Sequence, residues 1–193
     1  MKNCAYCGKE IKKGEREHVF PRCLYPVSKS NSKIQRITVL SCTDCNNGFA
    51  DVEAHFRNVL TLAGEPNPAR REIWEDKVLP SFSHKDGYRR TTDLLSLMKP
   101  IKIQSADRHI IYPAEDPRVL RIIRKIIRGL SHYHNIETAV PNERVWCDTL
   151  KYLVPKDFLS QMTQEHRESD VIEYRFMVLD DAEISSVWIL TFY

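Results

Sequence analysis

CAYC, at residues 4–7, and CTDC, at residues 42–45, are two cysteine pairs with the same two-residue spacer. A tight turn that offers two thiolates is half of a tetrahedral zinc site, and two such turns complete it. The spacing therefore predicts that Cys4, Cys7, Cys42 and Cys45 together hold one structural zinc ion. The alternatives are two unrelated turns or a redox site, although a redox pair usually stands alone.

The bulk composition is that of an ordinary globular protein. Of the 193 residues, 42% are hydrophobic and 28% are charged, and the formal net charge is +3. This mild positive charge is compatible with a polyanionic partner but does not by itself indicate one. The first residues lack the apolar core of a signal peptide, and no apolar run approaches the roughly 20 residues that cross a bilayer. We therefore expect a soluble, cytoplasmic protein with no membrane partner.

The first third of the chain has the pattern of a small module. Two β-favouring stretches, residues 17–20 and 34–40, lie between the cysteine pairs, and the second leads into Cys42. A helix with one apolar face is expected to begin near Thr43 or Asp44 and to run to Ala63. Gly64, Pro66 and Pro68 then end it. These signals place a domain boundary at the end of residues 1–65.

Residues 66–193 carry a mixed pattern of helices and strands, so the predicted fold class is α+β. Asp116-Pro117 is a strong helix start, because Asp is a favoured N-cap and Pro a favoured first residue. The turn signal at residues 83–87 is expected to join two strands. A second helix is expected at residues 70–79, and strands at residues 101–103, 109–112, 171–179 and 184–192, with a hairpin turn at residues 180–183. Trp146, Tyr174 and Trp188 are expected in the core.

Polar residues near the cysteine pairs suit phosphodiester hydrolysis. A histidine such as His18 can act as a base near neutral pH, and carboxylate or amide oxygens are good ligands for Mg²⁺ or Mn²⁺. Adjacent strand residues point to opposite faces, so Glu17 and His18 need a bend to serve one site. Within the expected helix, Asn47 and Asp51 share one face, as do Asp51 and His55.

The combined pattern resembles a known family. Cys-x2-Cys, Glu17-His18-x-x-Pro21, and Cys-x2-Cys-Asn46 with Asp51 five residues further on are similar to the HNH endonucleases of the ββα-metal (His-Me finger) class. In particular, the pattern resembles the subgroup whose finger is braced by four zinc-binding cysteines, and the resemblance covers about residues 1–60. One departure is that residues 36–40 lack the Asn that many relatives carry before the second pair, where Gln35 or Thr38 could substitute.

The resemblance implies a role for each matching residue. His18 matches the general base, Glu17 the acidic metal ligand, and Asn46 the helix residue that completes the catalytic metal site. Asp51 matches a further acidic ligand. The resemblance also implies a structural zinc that is separate from a catalytic Mg²⁺ or Mn²⁺ ion.

Other interpretations of these residues remain open. Asn46 could instead cap the helix, and Asn47 could be the ligand in its place. Asp51 could be a solvated helix residue, and His55 a packed or exposed one rather than a phosphate or metal contact. Cys23 and Cys147 are expected to be small buried side chains rather than ligands, and a metal role for His132 and His134 has little support.

The second domain contains a basic stripe on its long helix. The functional interpretation is a grip on the phosphate backbone of a nucleic acid, and the alternative is an amphipathic helix whose charges face water. The stripe consists of Arg121, Arg124, Lys125 and Arg128. This accessory domain could bind nucleic acid, dimerise the protein or dock a partner.

Together these signals predict a metal-dependent HNH endonuclease that hydrolyses phosphodiester bonds in DNA. The resemblance suggests a role in restriction or antiviral defence, as a homodimer or in a larger defence complex. The alternative is a zinc-braced nucleic-acid-binding or protein-interaction module without catalytic activity, because a shared fold does not guarantee a shared function.

Overall fold

A computed structural model describes residues 2–12, 14–29, 33–63, 67–103, 106–167, 171–180 and 184–193. The chain combines helices with small antiparallel sheets, as the predicted α+β class requires. The strands are β1 Lys2–Asn3, β2 Glu10–Ile11, β3 Glu15–His18, β4 Thr38–Ser41, β5 Met98–Ile103, β6 Ala106–Ile111, β7 Thr163–Glu165, β8 Ile172–Val178 and β9 Ser186–Phe192. The helices are α1 Thr43–Asn47, α2 Ala50–Leu62, α3 Pro68–Ile73, α4 Leu79–Phe82, α5 Gly87–Leu97, α6 Pro117–Tyr133 and α7 Lys156–Gln161. Among these residues, no helix combines the length and the apolar character that a membrane span needs.

Two hairpins and a helix pair form the N-terminal module, by which we mean the described residues up to 63. Strands β1 and β2 pair around the first cysteine pair, and Gly8 completes that turn with a φ of 71° in the left-handed region. Strands β3 and β4 pair antiparallel, with Glu17 opposite Val39 and His18 opposite Thr38. The second cysteine pair follows β4 directly and opens α1.

The helix expected to be continuous from Thr43 to Ala63 is interrupted. Helix α1 ends at Asn47, and α2 begins at Ala50 after Gly48 and Phe49. Glycine is a poor helix former, and tertiary contacts hold the break, because the Gly48 carbonyl accepts a hydrogen bond from Arg121 at 3.3 Å. The prediction that Asn47 and Asp51 share a helix face is therefore wrong.

The middle of the chain is more helical than expected. The predicted helix at residues 70–79 is confirmed as α3, a π-helical stretch at Trp74–Val78 and the start of α4. The turn at residues 83–87 joins helices α4 and α5 and not two strands, so that prediction is wrong. A side chain at Gly87 would collide with the Phe82 carbonyl oxygen, which explains a glycine at this close approach.

Helix α6 connects the two halves of the chain. Its predicted start is confirmed, because the Asp116 side chain accepts a hydrogen bond from the Arg118 backbone N–H at 2.8 Å. The helix packs against α2 and β4, and a Cβ atom at Gly129 would lie 3.0 Å from Val19, which directly follows β3. Buried side chains from both sides of the predicted boundary belong to the same apolar cluster. The described residues before and after the predicted boundary therefore share one core, and residues 64–66, where that boundary falls, lie outside the described residues.

The C-terminal strands form a three-stranded sheet in the order β7-β8-β9. Pairing of β8 with β9 confirms the two predicted strands, while residues 181–183 of the predicted hairpin turn lie outside the described residues. Tyr174 is buried, and Trp188 is partly buried against the core. Trp146 is 84% exposed, so its predicted place in the core is wrong: it lies in an irregular segment after the turn at Asn142–Arg144.

Candidate metal centre and catalytic site

The four paired cysteines converge on one point. Their Sγ atoms all lie within 4.8 Å of one another, and Cys7 Sγ is 3.8 Å from Cys42 Sγ. A tetrahedral zinc ion with Zn–S bonds of about 2.3 Å separates its sulfur ligands by about 3.8 Å. The donor set and its spacing therefore fit a metal ion such as zinc, held between the β1–β2 turn and the start of α1.

Backbone donors support the charged form of one of these thiols. Burial alone would raise the pKa of Cys4, but hydrogen bonds from backbone N–H groups, that of Cys42 first among them, lower it to about 7. The Cys42 N–H donates to Cys4 Sγ at 3.4 Å. The thiolate is the form that binds metal, so these donors favour metal binding at Cys4, whereas burial raises the pKa of Cys7 and of Cys45.

Glu17 lies in a buried ion-pair cluster. Lys125 of α6 donates hydrogen bonds to the carboxylate oxygens of Glu17 and of Glu53, the latter at 2.7 Å. Lys125 is 1% exposed and Glu17 is 14% exposed. Burial raises the pKa of the Glu17 carboxyl, and the Lys125 ammonium opposes that shift. The predicted acidic ligand is therefore already paired with one internal cation.

Asn46 lies in α1 beside strand β3. Its amide Nδ2 donates a hydrogen bond to the Glu15 carboxylate, whereas its Oδ1 is buried and has no hydrogen-bond partner in the described part of the chain. Because Cys42 is the N-cap of α1, the helix-capping interpretation of Asn46 is wrong. A buried amide oxygen without a donor is unfavourable, and it is also a hard ligand of the kind that Mg²⁺ accepts.

The register of the β3–β4 hairpin separates its side chains between two faces. Glu15 and Glu17 share one face, and Arg16 and His18 share the other. His18 is the last residue of β3, and the chain bends at Val19 and Phe20. The described contacts therefore bring Glu15 and Asn46 together, and Glu17 with Lys125, while His18 lies at the strand end on the opposite face.

Asp51 and His55 have different environments. Asp51 is exposed in the first turn of α2 and makes no side-chain hydrogen bond to any described residue, which matches its solvated interpretation. His55 Nε2 lies 2.6 Å from Asp116 Oδ2, and both side chains are largely buried. Burial alone would raise the pKa of Asp116, but hydrogen bonds from Arg118 and His55 outweigh it and lower that pKa. His55 therefore ties α2 to the start of α6, in agreement with its packed interpretation.

The basic stripe on α6 faces the N-terminal module and the loop after α6. Lys125 is buried, so its predicted contact with nucleic acid is wrong. Arg124 donates to the Val145 carbonyl at 3.0 Å, and Arg128 donates to the carbonyls of Val140 and Tyr6. Arg121 is the exposed member of the four, and its guanidinium carbon lies 4.8 Å from the Phe49 ring centroid. These contacts also exclude the alternative in which all four charges face water.

Sequence reasoning missed Lys125 and Glu53 as parts of this site. The sequence could have indicated that Lys125 is buried, because it lies three residues after Ile122 and four before Gly129, on the buried side of α6. A lysine within an apolar helix face needs an anionic partner.

Comparison with known proteins adds no family to this geometry: no family model matches the chain, and neither does any curated protein or solved structure.

Proposed function

We propose that the protein is a metal-dependent endonuclease of the HNH type that hydrolyses phosphodiester bonds in DNA. One observation carries the proposal: the Asn directly after the second cysteine pair presents a buried, unpartnered Oδ1 beside the strand that holds Glu17 and His18. Zinc is the proposed occupant of the four-cysteine cluster, where it would hold the β1–β2 turn against α1.

The proposed roles follow from the chemistry of each side chain. Asn46 Oδ1 and the Glu17 carboxylate are the proposed ligands of Mg²⁺ or Mn²⁺, and Asp51 is a third donor at the start of α2. A hard cation held there would offset the charge on the phosphate and the leaving oxygen. Lys125 contacts Oε1 of Glu17, which leaves the second oxygen of that carboxylate for a ligand role. His18 is the proposed base that deprotonates the attacking water. It is the last residue of β3 and lies on the face opposite to Glu17, so in this proposal its ring reaches the water around the strand end, where the chain bends.

The proposal is tested with a double variant, Glu17→Ala with His18→Ala, in a plasmid-cleavage assay with added Mg²⁺ or Mn²⁺. We expect cleavage to be lost while the protein still carries its zinc, because neither residue is one of the four cysteines. Zinc content, measured by elemental analysis, separates a lost active site from a lost fold. Undiminished cleavage by the double variant would contradict the assignment.

A second candidate function is a zinc-braced DNA-binding module without catalytic activity. The observation in its favour is the Glu17–Lys125–Glu53 cluster, which gives Glu17 a structural partner. This candidate predicts that the wild-type protein binds DNA but does not cut it with any divalent cation, whereas the nuclease proposal predicts metal-dependent cutting.

A further inference from the structure

A cavity of about 360 Å³ opens on the outer face of the β3–β4 hairpin, and its lining is strongly basic. No carboxylate contributes to this lining within the described ranges of the chain. The polar and charged lining residues are Lys2, Arg16, Arg36, Arg167, Gln35 and Thr38. We call this the basic pocket.

The four cations come from distant parts of the sequence. Lys2 belongs to β1, Arg16 to β3, Arg36 precedes β4, and Arg167 follows β7 in the C-terminal half. Like charges repel one another, so a fold that gathers four of them around one cavity is electrostatically suited to an anion. Two of them rest on aromatic rings, which orient their guanidinium groups before any ligand arrives. The guanidinium carbon of Arg36 lies 4.0 Å from the Tyr25 ring centroid, and that of Arg167 lies 5.5 Å from the Tyr133 ring centroid.

The basic pocket lies on the same face of the hairpin as His18. Directly paired residues of an antiparallel hairpin point to the same side, so Arg16 with Leu40, and His18 with Thr38, share one face. Arg16, Leu40 and Thr38 all line the pocket. The carboxylates of Glu15 and Glu17 belong to the opposite face, where they cannot neutralise these cations by direct contact.

From this arrangement we infer that the basic pocket binds a backbone phosphate of the DNA strand, adjacent to the phosphate that reaches His18. Guanidinium groups match phosphate oxygens in a forked, two-bond geometry, and the side chains of Gln35 and Thr38 add neutral donors. The inference rests on the proposed function for its choice of DNA over other phosphate-bearing ligands. The basic pocket contains residues of both the N-terminal module and the C-terminal half, so one phosphate would contact both. In this inference the pocket, and not the predicted stripe on α6, is the phosphate-binding surface.

The test is a binding measurement on the full zinc-loaded chain without added Mg²⁺ or Mn²⁺, so that it does not depend on cleavage. Fluorescence anisotropy of a short labelled DNA duplex is followed at increasing KCl for the wild type and for Arg16→Gln with Arg167→Gln. Both arginines are exposed, so their replacement should leave the fold intact. The matched control removes the same charge from Arg71 and Arg89, which are also exposed and do not line the pocket.

We expect the pocket variant to bind about tenfold more weakly near 0.1 M salt, and the slope of log K against log salt to become shallower by about 0.9 for each lost phosphate contact. The control variant should retain the wild-type slope. Equal losses in the two variants, or no binding by the wild type, would overturn the inference. If DNA binding depends on the pocket but the wild type does not cut DNA with either cation, the phosphate-binding inference holds and the nuclease proposal fails. If the wild type and the pocket variant cut DNA equally well, the nuclease proposal holds and the phosphate-binding inference fails.

Discussion

Replacing Lys125 with methionine tests how much the Glu17–Lys125–Glu53 cluster contributes to stability. Methionine preserves the length and apolar stem of the side chain but removes the ammonium group that lies between Glu17 and Glu53. The same ammonium nitrogen lies 4.6 Å from the Phe49 ring centroid. The substitution therefore leaves two neighbouring carboxylates without their cation in a largely water-excluded site.

The expected loss of stability follows from the burial of the three groups. Removing one partner of a buried ion pair costs about 3–5 kcal/mol, because the remaining charge stays buried and uncompensated. Glu17 and Glu53 retain 14% and 22% exposure, so water relieves part of that cost. We expect Lys125→Met to lower the free energy of unfolding by about 3 kcal/mol at neutral pH.

The assay is urea unfolding of the zinc-loaded protein, followed by circular dichroism. Lys156→Met is the matched control, since Lys156 is exposed in α7 and makes no side-chain hydrogen bond or ion pair among the described residues, and its effect should stay within about 0.5 kcal/mol. Adding Glu53→Gln to Lys125→Met should restore part of the stability, with a coupling energy of about 1 kcal/mol or more. A loss below about 1 kcal/mol for Lys125→Met, with no coupling to Glu53, would show that the Lys125 ammonium group does not stabilise the fold.

Two further predictions concern the cysteine cluster and a buried histidine. Purified protein should contain one zinc ion per chain, and it should lose its cooperative unfolding transition after the zinc is chelated. Elemental analysis should show that Cys42→Ser loses the metal and that Cys147→Ser keeps it. Burial lowers the pKa of His134, whose ring nitrogen Nε2 lies 2.9 Å from the Tyr174 hydroxyl oxygen. The unfolded chain therefore binds a proton that the folded chain resists, so this contribution to stability is present above about pH 6.5 and is lost as the pH falls through the lower folded pKa. Unfolding measured between about pH 7 and pH 5 should show a smaller decline for His134→Gln than for the wild type, and equal declines would contradict this account.

The features that could be predicted from the sequence are those with local signals. The two-residue spacing of the cysteine pairs predicts a metal site, and the structure brings all four sulfur atoms together. The Asp116-Pro117 start of α6 depends only on neighbouring backbone groups, and it is confirmed. Two stretches rich in β-branched and aromatic residues, with a turn signal between them, likewise predicted the hairpin in which β8 pairs with β9.

The features that could not be predicted depend on contacts between residues that are far apart in the sequence. The break at Gly48 is held by Arg121, which lies 73 residues further on, and an apolar periodicity that continues across the break conceals it. Lys125 was expected on an exposed face. Its acidic partners are 108 and 72 residues away in the sequence, so no local pattern indicated that they would pair with it in the core. The basic pocket combines residues from β1 to the loop after β7, a convergence that tertiary structure alone reveals.

A plasmid-cleavage experiment tests whether His18 acts in metal-dependent cutting of DNA. Purified zinc-loaded wild type, His18→Ala and His84→Ala are incubated with supercoiled plasmid in Mg²⁺, in Mn²⁺ and without added divalent cation. His84 is exposed in the turn between α4 and α5 and serves as the matched histidine control. We expect the wild type and His84→Ala to cut with Mg²⁺ or Mn²⁺, and His18→Ala to cut at least a hundredfold more slowly, because a general base contributes about 10²-fold or more. Equal cutting by all three proteins, or no cutting by the wild type with either cation, would rule out this role for His18.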